Sequence, residues 1–438
     1  MFRGRRVLTP QGERAASVHV VDGTIQRVGA FDDVSSGSEI VDAGSLVVLP
    51  GLVDTHVHVN EPGRTEWEGF ATVTRAAAAG GVTTIVDMPL NSIPPTTAVD
   101  ALAIKRAVAE GQAHVDVGFW GGAVPENLGR LRELHEAGVF GFKSFLCPSG
   151  VDEFGSLDLD GLRSAMDEIA AFDGLLLVHA ELPGPIEAAT STLDAADPFA
   201  FATYLASRPR EAEEQAVATV VRASADTGCR THVLHVSAAG CLDLIGGAVT
   251  AETCPHYLTF EAEEVPDGAT EFKCAPPIRG SENRERLWKA LRNRKVAMVV
   301  SDHSPSTPDL KAGSFFDAWG GIASVQLGLR AVWTGARARG FGLEDVSRWM
   351  SAGPAGLAGL TRKGAIVDGM DADLVLFEPG HRSAVDASEL HHRHPTTPYA
   401  GRALDGRVAA TYVRGMEVFA DGRHRNDPVG RLLSRGAV

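Results

Sequence analysis

The sequence has no long apolar run, few cysteines, few aromatic residues and no excess of positive charge. Each shortage excludes something. The longest apolar stretches, such as Leu46–Val53, reach about eight residues, where a membrane-spanning helix needs roughly 20. The amino terminus, Met1-Phe-Arg-Gly-Arg-Arg6, runs into turn residues without the apolar stretch of a secretory signal. These features predict a cytoplasmic protein with no membrane partner. The five cysteines, Cys147, Cys229, Cys241, Cys254 and Cys274, are odd in number, widely spaced and free of any CxxC pair. That fits a reducing compartment better than a disulfide framework. Lysine and arginine number 41 against 56 acidic residues, a net charge of −15. Such a balance argues against a nucleic-acid or anionic-membrane surface. A local positive site stays open, because a bound cation reverses the sign around it.

What is present is ordinary for a globular chain: 44% hydrophobic and 22% charged residues over 438 positions. That length suits two or three domains, or one large barrel with an appendage. Both ends read as β-rich. Val18–Val28 is a hairpin pattern around Asp22-Gly23, and Thr411–Phe419 is another around Arg414-Gly415. Between them the rhythm changes. Eight near-continuous apolar runs are spaced along the chain: Leu46–Val53, Thr83–Met88, Val115–Trp120, Val139–Leu146, Leu175–Val178, Thr231–Leu234, Val249–Thr253 and Val296–Val300. Runs of this kind suit strands buried on both faces. Helical segments such as Val99–Glu110, Leu159–Ala171 and Glu211–Thr227 separate them. Eight strands alternating with helices predict an α/β fold, a (β/α)8 TIM-like barrel. Residues 381–400, polar and proline-rich, read as an ordered excursion or loop, and the last dozen residues as a loosely held tail.

The chemistry stands where the strands end. The first run leads into Asp54-Thr-His56-Val-His58, the fourth contains Lys143, and the fifth ends on His179. The sixth leads into His235, and the eighth into Asp302-His303. In such a barrel the C-terminal strand ends converge on one mouth. In His-X-His on a strand both imidazoles point the same way, since the side-chain period is two. Four histidines and an aspartate, with no thiolate, suit Zn²⁺ or another borderline divalent ion, with Co, Mn and Ni as options. Five ligands are many for one catalytic ion and fit two ions about 3.5–4 Å apart sharing a water. Lys143 would be repelled by such ions as an ammonium. A neutral amine there can add CO₂ to give a carbamate, an anion able to bridge two metals. Any single histidine at a strand end is more often a structural residue; the full set on five strands is what points to metal. His256 reads equally as structural or substrate-facing, and His303 as a support behind the metal site. His391, His392 and His394 read as a solvated loop. Cys147 and Cys274 are placed near the mouth.

Together these residues resemble the amidohydrolase superfamily, and within it the cyclic amidohydrolases: dihydroorotases, hydantoinases (dihydropyrimidinases) and allantoinases. The resemblance covers essentially the whole chain. It implies a small β-sandwich of residues 1–48 and 364–438 beside a catalytic barrel of residues 49–363. It implies that His56, His58 and Asp302 hold a buried metal, that His179 and His235 hold a more exposed one, and that carbamylated Lys143 bridges them. Asp302 would also be the general acid and base. Dihydroorotases carry an arginine where this chain has Asn60, and hydantoinases a tyrosine where it has Pro148. The local runs Glu61–Gly69, Met88–Pro95, Lys143–Cys147, Lys273–Arg279, Ser301–Pro305 and Ala318–Ser324 are similar to allantoinases instead. That implies opening of the hydantoin ring of allantoin to allantoate, a step of purine (ureide) catabolism, by a hydroxide shared between two ions. Hydantoinase or dihydroorotase activity is the alternative, and a non-catalytic scaffold a remote one. Asn91, Ser92, Ala275, Gly320 and Gly321 are then the expected contacts of ring and ureido arm. Arg64 is a further candidate beside a structural ion pair with Glu61 or Glu68. The resemblance also implies a small-molecule cyclic ureide as partner, and a homotetramer or dimer.

Overall fold

The computed structural model describes residues 1–35, 37 and 39–436. Eight parallel strands form the central ring: Leu52–Val57, Val82–Asp87, Asp116–Phe119, Phe142–Phe145, Leu175–His179, Arg230–Val233, Val249–Thr253 and Met298–Val299. The third continues past Trp120 as Gly121–Gly122, which pairs with the fourth. The ring closes where Val57 bridges His303 in parallel and the His58 amide donates to the His303 carbonyl at 2.8 Å. Helices Phe70–Ala79, Val99–Ala109, Leu159–Ala170, Arg210–Thr227, Ser281–Arg292 and Gly328–Ala338 lie between or after these strands. Among the described residues no helix is long and apolar enough to cross a membrane.

Both chain ends build a second, nine-stranded sheet. Phe2–Thr9, Gly12–Val21, Thr24–Gly29, Val41–Asp42 and Val47–Pro50 come from the front. Leu374–Ala384, Ala403–Val413, Met416–Ala420 and Arg423–His424 come from the rear. Val47–Pro50 joins the halves, parallel to Phe2–Thr9 and antiparallel to Leu374–Ala384. A separate apolar core of Phe2, Val7, Val18, Ile25, Val48, Leu374 and Tyr412 fills it. The two hairpins expected around Asp22-Gly23 and Arg414-Gly415 are both present.

The structure corrects three expectations. Leu46–Val53 is not one strand: Val47–Pro50 belongs to the terminal sheet and the barrel strand starts at Leu52. The break is at Gly51, where a Cβ would stand 2.2 Å from the Thr83 hydroxyl. The tail is not loose through Arg435. Its backbone bonds Ala113, Val117 and Gly138, with Val117 donating to Arg431 at 2.9 Å and accepting from Leu433 at 2.8 Å. The start of the third strand has an open edge there, because the fourth strand pairs only with its continuation. An open edge is satisfied by any chain that reaches it; residues 437 and 438 lie outside the described residues. The excursion after residue 380 is partly strand, since Leu374–Ala384 pairs with Ala403–Val413 as far as Ala384↔Ala403.

Asp116 ties these pieces together. It accepts from Lys363 at 2.6 Å, from Arg414 at 2.5 Å and from the Arg431 amide at 2.8 Å. Lys363 also reaches Asp373 at 2.7 Å. Barrel, terminal sheet and tail thus share one buried ionic cluster at the end of the barrel away from the strand C-termini.

Candidate metal centre and active site

The C-terminal strand ends surround a cavity of about 460 Å³. His58, Lys143, His179, His235 and Asp302 line it, and buried His56 stands with its Nε2 atom 3.1 Å from an Asp302 oxygen. The His58 Nε2 atom is 3.5 Å from the same oxygen. His179 Nδ1 and His235 Nε2 face each other at 3.1 Å. His56 and His235 rings are centred 5.3 Å apart, which joins the two groups. Two of these positions hold unusual backbone: His235 has φ +36° and Asp302 φ +46°. Non-glycine residues in that region are held there by their surroundings and cluster at working sites.

Acidic partners set the imidazoles. His56 Nδ1 lies 2.5 Å from Glu252, whose other oxygen takes His232 at 3.1 Å. That favours a proton on His56 Nδ1 and turns the buried Nε2, which forms no hydrogen bond, towards Asp302. His179 gives its Nε2 proton to Glu181 at 2.8 Å, so its Nδ1 is bare towards His235. Arg208 holds Glu181 from behind at 2.6 Å. Burial opposes ionisation of Glu252, but the His56 and His232 imidazoles outweigh it and hold the carboxyl at about 2. Burial, with Lys143 nearby, pushes His58 down to about 3. Burial also keeps His179 and His235 below the ordinary histidine range. Asp302 sits well below the carboxylate range: burial acts against it, and the His56 and His58 rings prevail. His56 is drawn the other way: burial opposes its charge, but Asp302 and Glu252 prevail and raise it above the ordinary histidine range. Neutral His58, His179 and His235 imidazoles, with His56 Nε2 facing an ionised carboxylate, are a donor set for divalent cations, which would take the place of a proton on His56 Nε2. The atoms of His56, His58 and Asp302 lie within 4.8 Å of one another, close enough to share an ion. Burial lowers the Lys143 ammonium to about 8. About a tenth of it is then uncharged at pH 7.

A scan of family models matches residues 47–418 to the amidohydrolase family. The chain belongs to the amidohydrolase family. Among proteins similar to this amidohydrolase is an allantoinase of Streptomyces avermitilis, 55% identical over 99% of this chain and 98% of that protein. An Arabidopsis thaliana allantoinase is 44% identical, covering 98% and 89% of the two chains. Among solved structures, the L-hydantoinase (dihydropyrimidinase) of Arthrobacter aurescens superposes with a TM-score of 0.93 at 32% identity, over 99% of both chains. The barrel and the β-sandwich formed by both chain ends follow that architecture.

The remaining candidates divide. Asn91, Ala275, Gly320 and Gly321 line the cavity. Asn91 is held at φ +68°, with one buried amide oxygen unpartnered. Ser92 does not line it; its hydroxyl donates to the Pro94 carbonyl and accepts from Lys105 at 3.1 Å. Arg64 pairs with Glu153 and the Asn91 carbonyl, not with Glu61 or Glu68. Glu61 instead accepts from the Phe70 amide at the start of a helix. Pro148 lines the cavity and offers no hydroxyl, while Asn60 donates to the Pro305 carbonyl. His256 is buried outside the cavity lining, with neither nitrogen bonded. His303 accepts from the Ser324 amide at 3.0 Å and stands 3.5 Å from Glu68, behind the cluster. His392 is not solvated: it is buried against His303, ring centres 5.5 Å apart. Cys274 lines the cavity, and Cys147 lies beside His179 and Glu181.

Glu252 and Arg208 are the functional residues that sequence reasoning missed. Glu252 had a signal, a carboxylate inside a strand buried on every side. Arg208, on the approach to a helix far along the chain, had none. Glu252→Gln, which keeps the shape but not the charge, is expected to weaken metal binding about 10- to 100-fold. Metal titration of apoprotein, followed calorimetrically, checks this; unchanged affinity would remove Glu252 from the site.

Proposed function

We infer that this chain is an allantoinase, cleaving the amide C–N bond of the hydantoin ring of allantoin to give allantoate. The full-length likeness to allantoinases carries this reading, and the site supports it. His56, His58 and Asp302 would hold one divalent ion and His179 and His235 a second. Zinc suits the nitrogen and oxygen donors, with cobalt, manganese and nickel compatible. Carbamylated Lys143 would join the two positions: its neutral amine adds CO₂, releases a proton and becomes an anion. Bound ions supply a water made acidic near neutral pH and a Lewis acid for the amide carbonyl.

The chain's own groups do the rest. Asp302, kept ionised by the imidazoles beside it, accepts the proton of the attacking water. It then returns that proton to the ring nitrogen as the C–N bond breaks. Glu252 and Glu181 hold His56 and His179 in the required tautomers. Asn91, Ala275, Gly320 and Gly321 offer polar groups to ring and arm. Asn60 supplies no cation for a substrate carboxylate, and Pro148 no hydroxyl for the developing oxyanion. Both departures separate this site from dihydroorotases and hydantoinases.

Assay of the purified metal-loaded protein on allantoin, hydantoin, dihydrouracil and dihydroorotate tests the reading. Allantoin is expected to lead by at least about a hundredfold in kcat/KM, the discrimination a site gains when it hydrogen-bonds a distinguishing group. Preference for any of the other three overturns it.

A further inference from the structure

Three lysine or arginine side chains line the cavity: Lys143, Arg208 and Lys273. Lys143 belongs to the cluster of candidate metal ligands. Arg208 commits Nε and Nη2 to Glu181 at 3.2 and 2.6 Å. Lys273 differs from both. Its ammonium donates to the Ala318 carbonyl and lies 5.5 Å from the centre of the Tyr204 ring. Tyr204 is itself fixed, its hydroxyl donating to the Cys274 carbonyl at 2.7 Å. Among the described residues no carboxylate forms an ion pair with Lys273.

A second lysine stands behind the first. Lys311 donates to the carbonyls of Trp319 at 2.8 Å and Gly321 at 2.6 Å, again with no carboxylate pair among the described residues. The Gly321 amide donates back to the Lys273 carbonyl at 2.8 Å, and the Trp319 amide to Leu310 at 2.7 Å. Two lysines thus pin the carbonyls of Ala318, Trp319 and Gly321 on one wall of the cavity. An ammonium carries three donors. One of those on Lys273 is taken by Ala318, and the neighbouring loop carbonyls are already held by Lys311. Lys273 is only half-buried, so its other two donors face the solvent of the cavity, where a ligand acceptor can displace water.

We propose that Lys273 is a specificity-determining residue, donating to the carbonyl of the substrate's ureido arm, with Lys311 positioning the loop that frames it. The inference rests on the allantoinase reading and deepens it. A hydantoin ring without the arm has nothing for Lys273 to bind, so the residue separates allantoin from bare hydantoin.

The test compares wild type with Lys273→Met, using allantoin as substrate and hydantoin as competitive inhibitor. The kcat/KM for allantoin is expected to fall about 10- to 100-fold, the scale of one hydrogen bond from a charged donor, while the Ki of hydantoin moves less than about threefold. A residue that merely holds the cavity wall would shift both constants together, and that result overturns the proposal, as does an unchanged kcat/KM. Where the methionine variant does not fold, Lys273→Leu, which likewise carries no donor, is read by the same ratio. Failure of the broader reading shows separately: wild type would then be inert towards allantoin, and the proposal would fall with it.

Discussion

Asp302→Asn is expected to fold as the wild type does and to hydrolyse allantoin at least about 10⁴-fold more slowly, the upper end of what general acid–base catalysis contributes. The side chain is nearly isosteric, so packing is kept. What is lost is the negative charge. In the native site that charge sits 3.1 Å from His56 and 3.5 Å from His58, and it is ionised because those rings offset the burial. An amide can neither take a proton from water nor return one to a leaving nitrogen. It is also a weaker ligand, so metal content should fall together with kcat. Turnover with a fixed metal supply, metal content and thermal unfolding are measured on the same preparation. A variant with full metal and a rate within about tenfold of wild type would remove Asp302 from the chemistry.

Much of this site was legible before the coordinates because a barrel strand buried on both faces has little room for polar residues. His56, His58, Lys143, His179, His235 and Asp302 stand out against Val, Leu and Phe, and the fold gathers strand ends at one mouth. The residues that steer them were harder to read. Glu252 lies inside the run Val249–Thr253, and nothing in the spacing shows that it meets His56 on a strand far away in sequence. Arg208 reaches Glu181 only through a packing of segments that no periodicity encodes. Ser92 and Arg64 show the converse. Their polarity suggested substrate contacts, yet a buried polar side chain needs partners wherever it lies, and theirs are Lys105, the Pro94 carbonyl and Glu153. The break at Gly51 was hidden for a similar reason. Val47–Pro50 and Leu52–Val57 are equally apolar, and only the approach of Thr83 shows where one sheet ends and another begins.

The largest effect on metal content is expected at Lys143. Lys143→Ala should lose most bound metal and bring activity to the background, about 10³-fold or more below wild type, since a two-ion site loses its joint clamp on the reacting oxygens. The reasoning is electrostatic. As an ammonium Lys143 would repel the cations that the four imidazoles face, although the ionised Asp302 and Glu252 carboxylates favour its charge while no ion is bound. Burial lowers its pKa to about 8, so the amine able to add CO₂ is available near neutral pH. As a carbamate the same side chain becomes an anion with two oxygens, which turns repulsion into attraction. Alanine removes it but leaves a space that a small carboxylic acid can enter. Acetate or propionate, supplied with the metal, should therefore restore part of the activity, and removing CO₂ during reconstitution of wild type should slow metal uptake. Full metal content in the unrescued alanine variant, or metal uptake by wild type that is indifferent to CO₂, would leave Lys143 as a buried cation with no part in holding the ions.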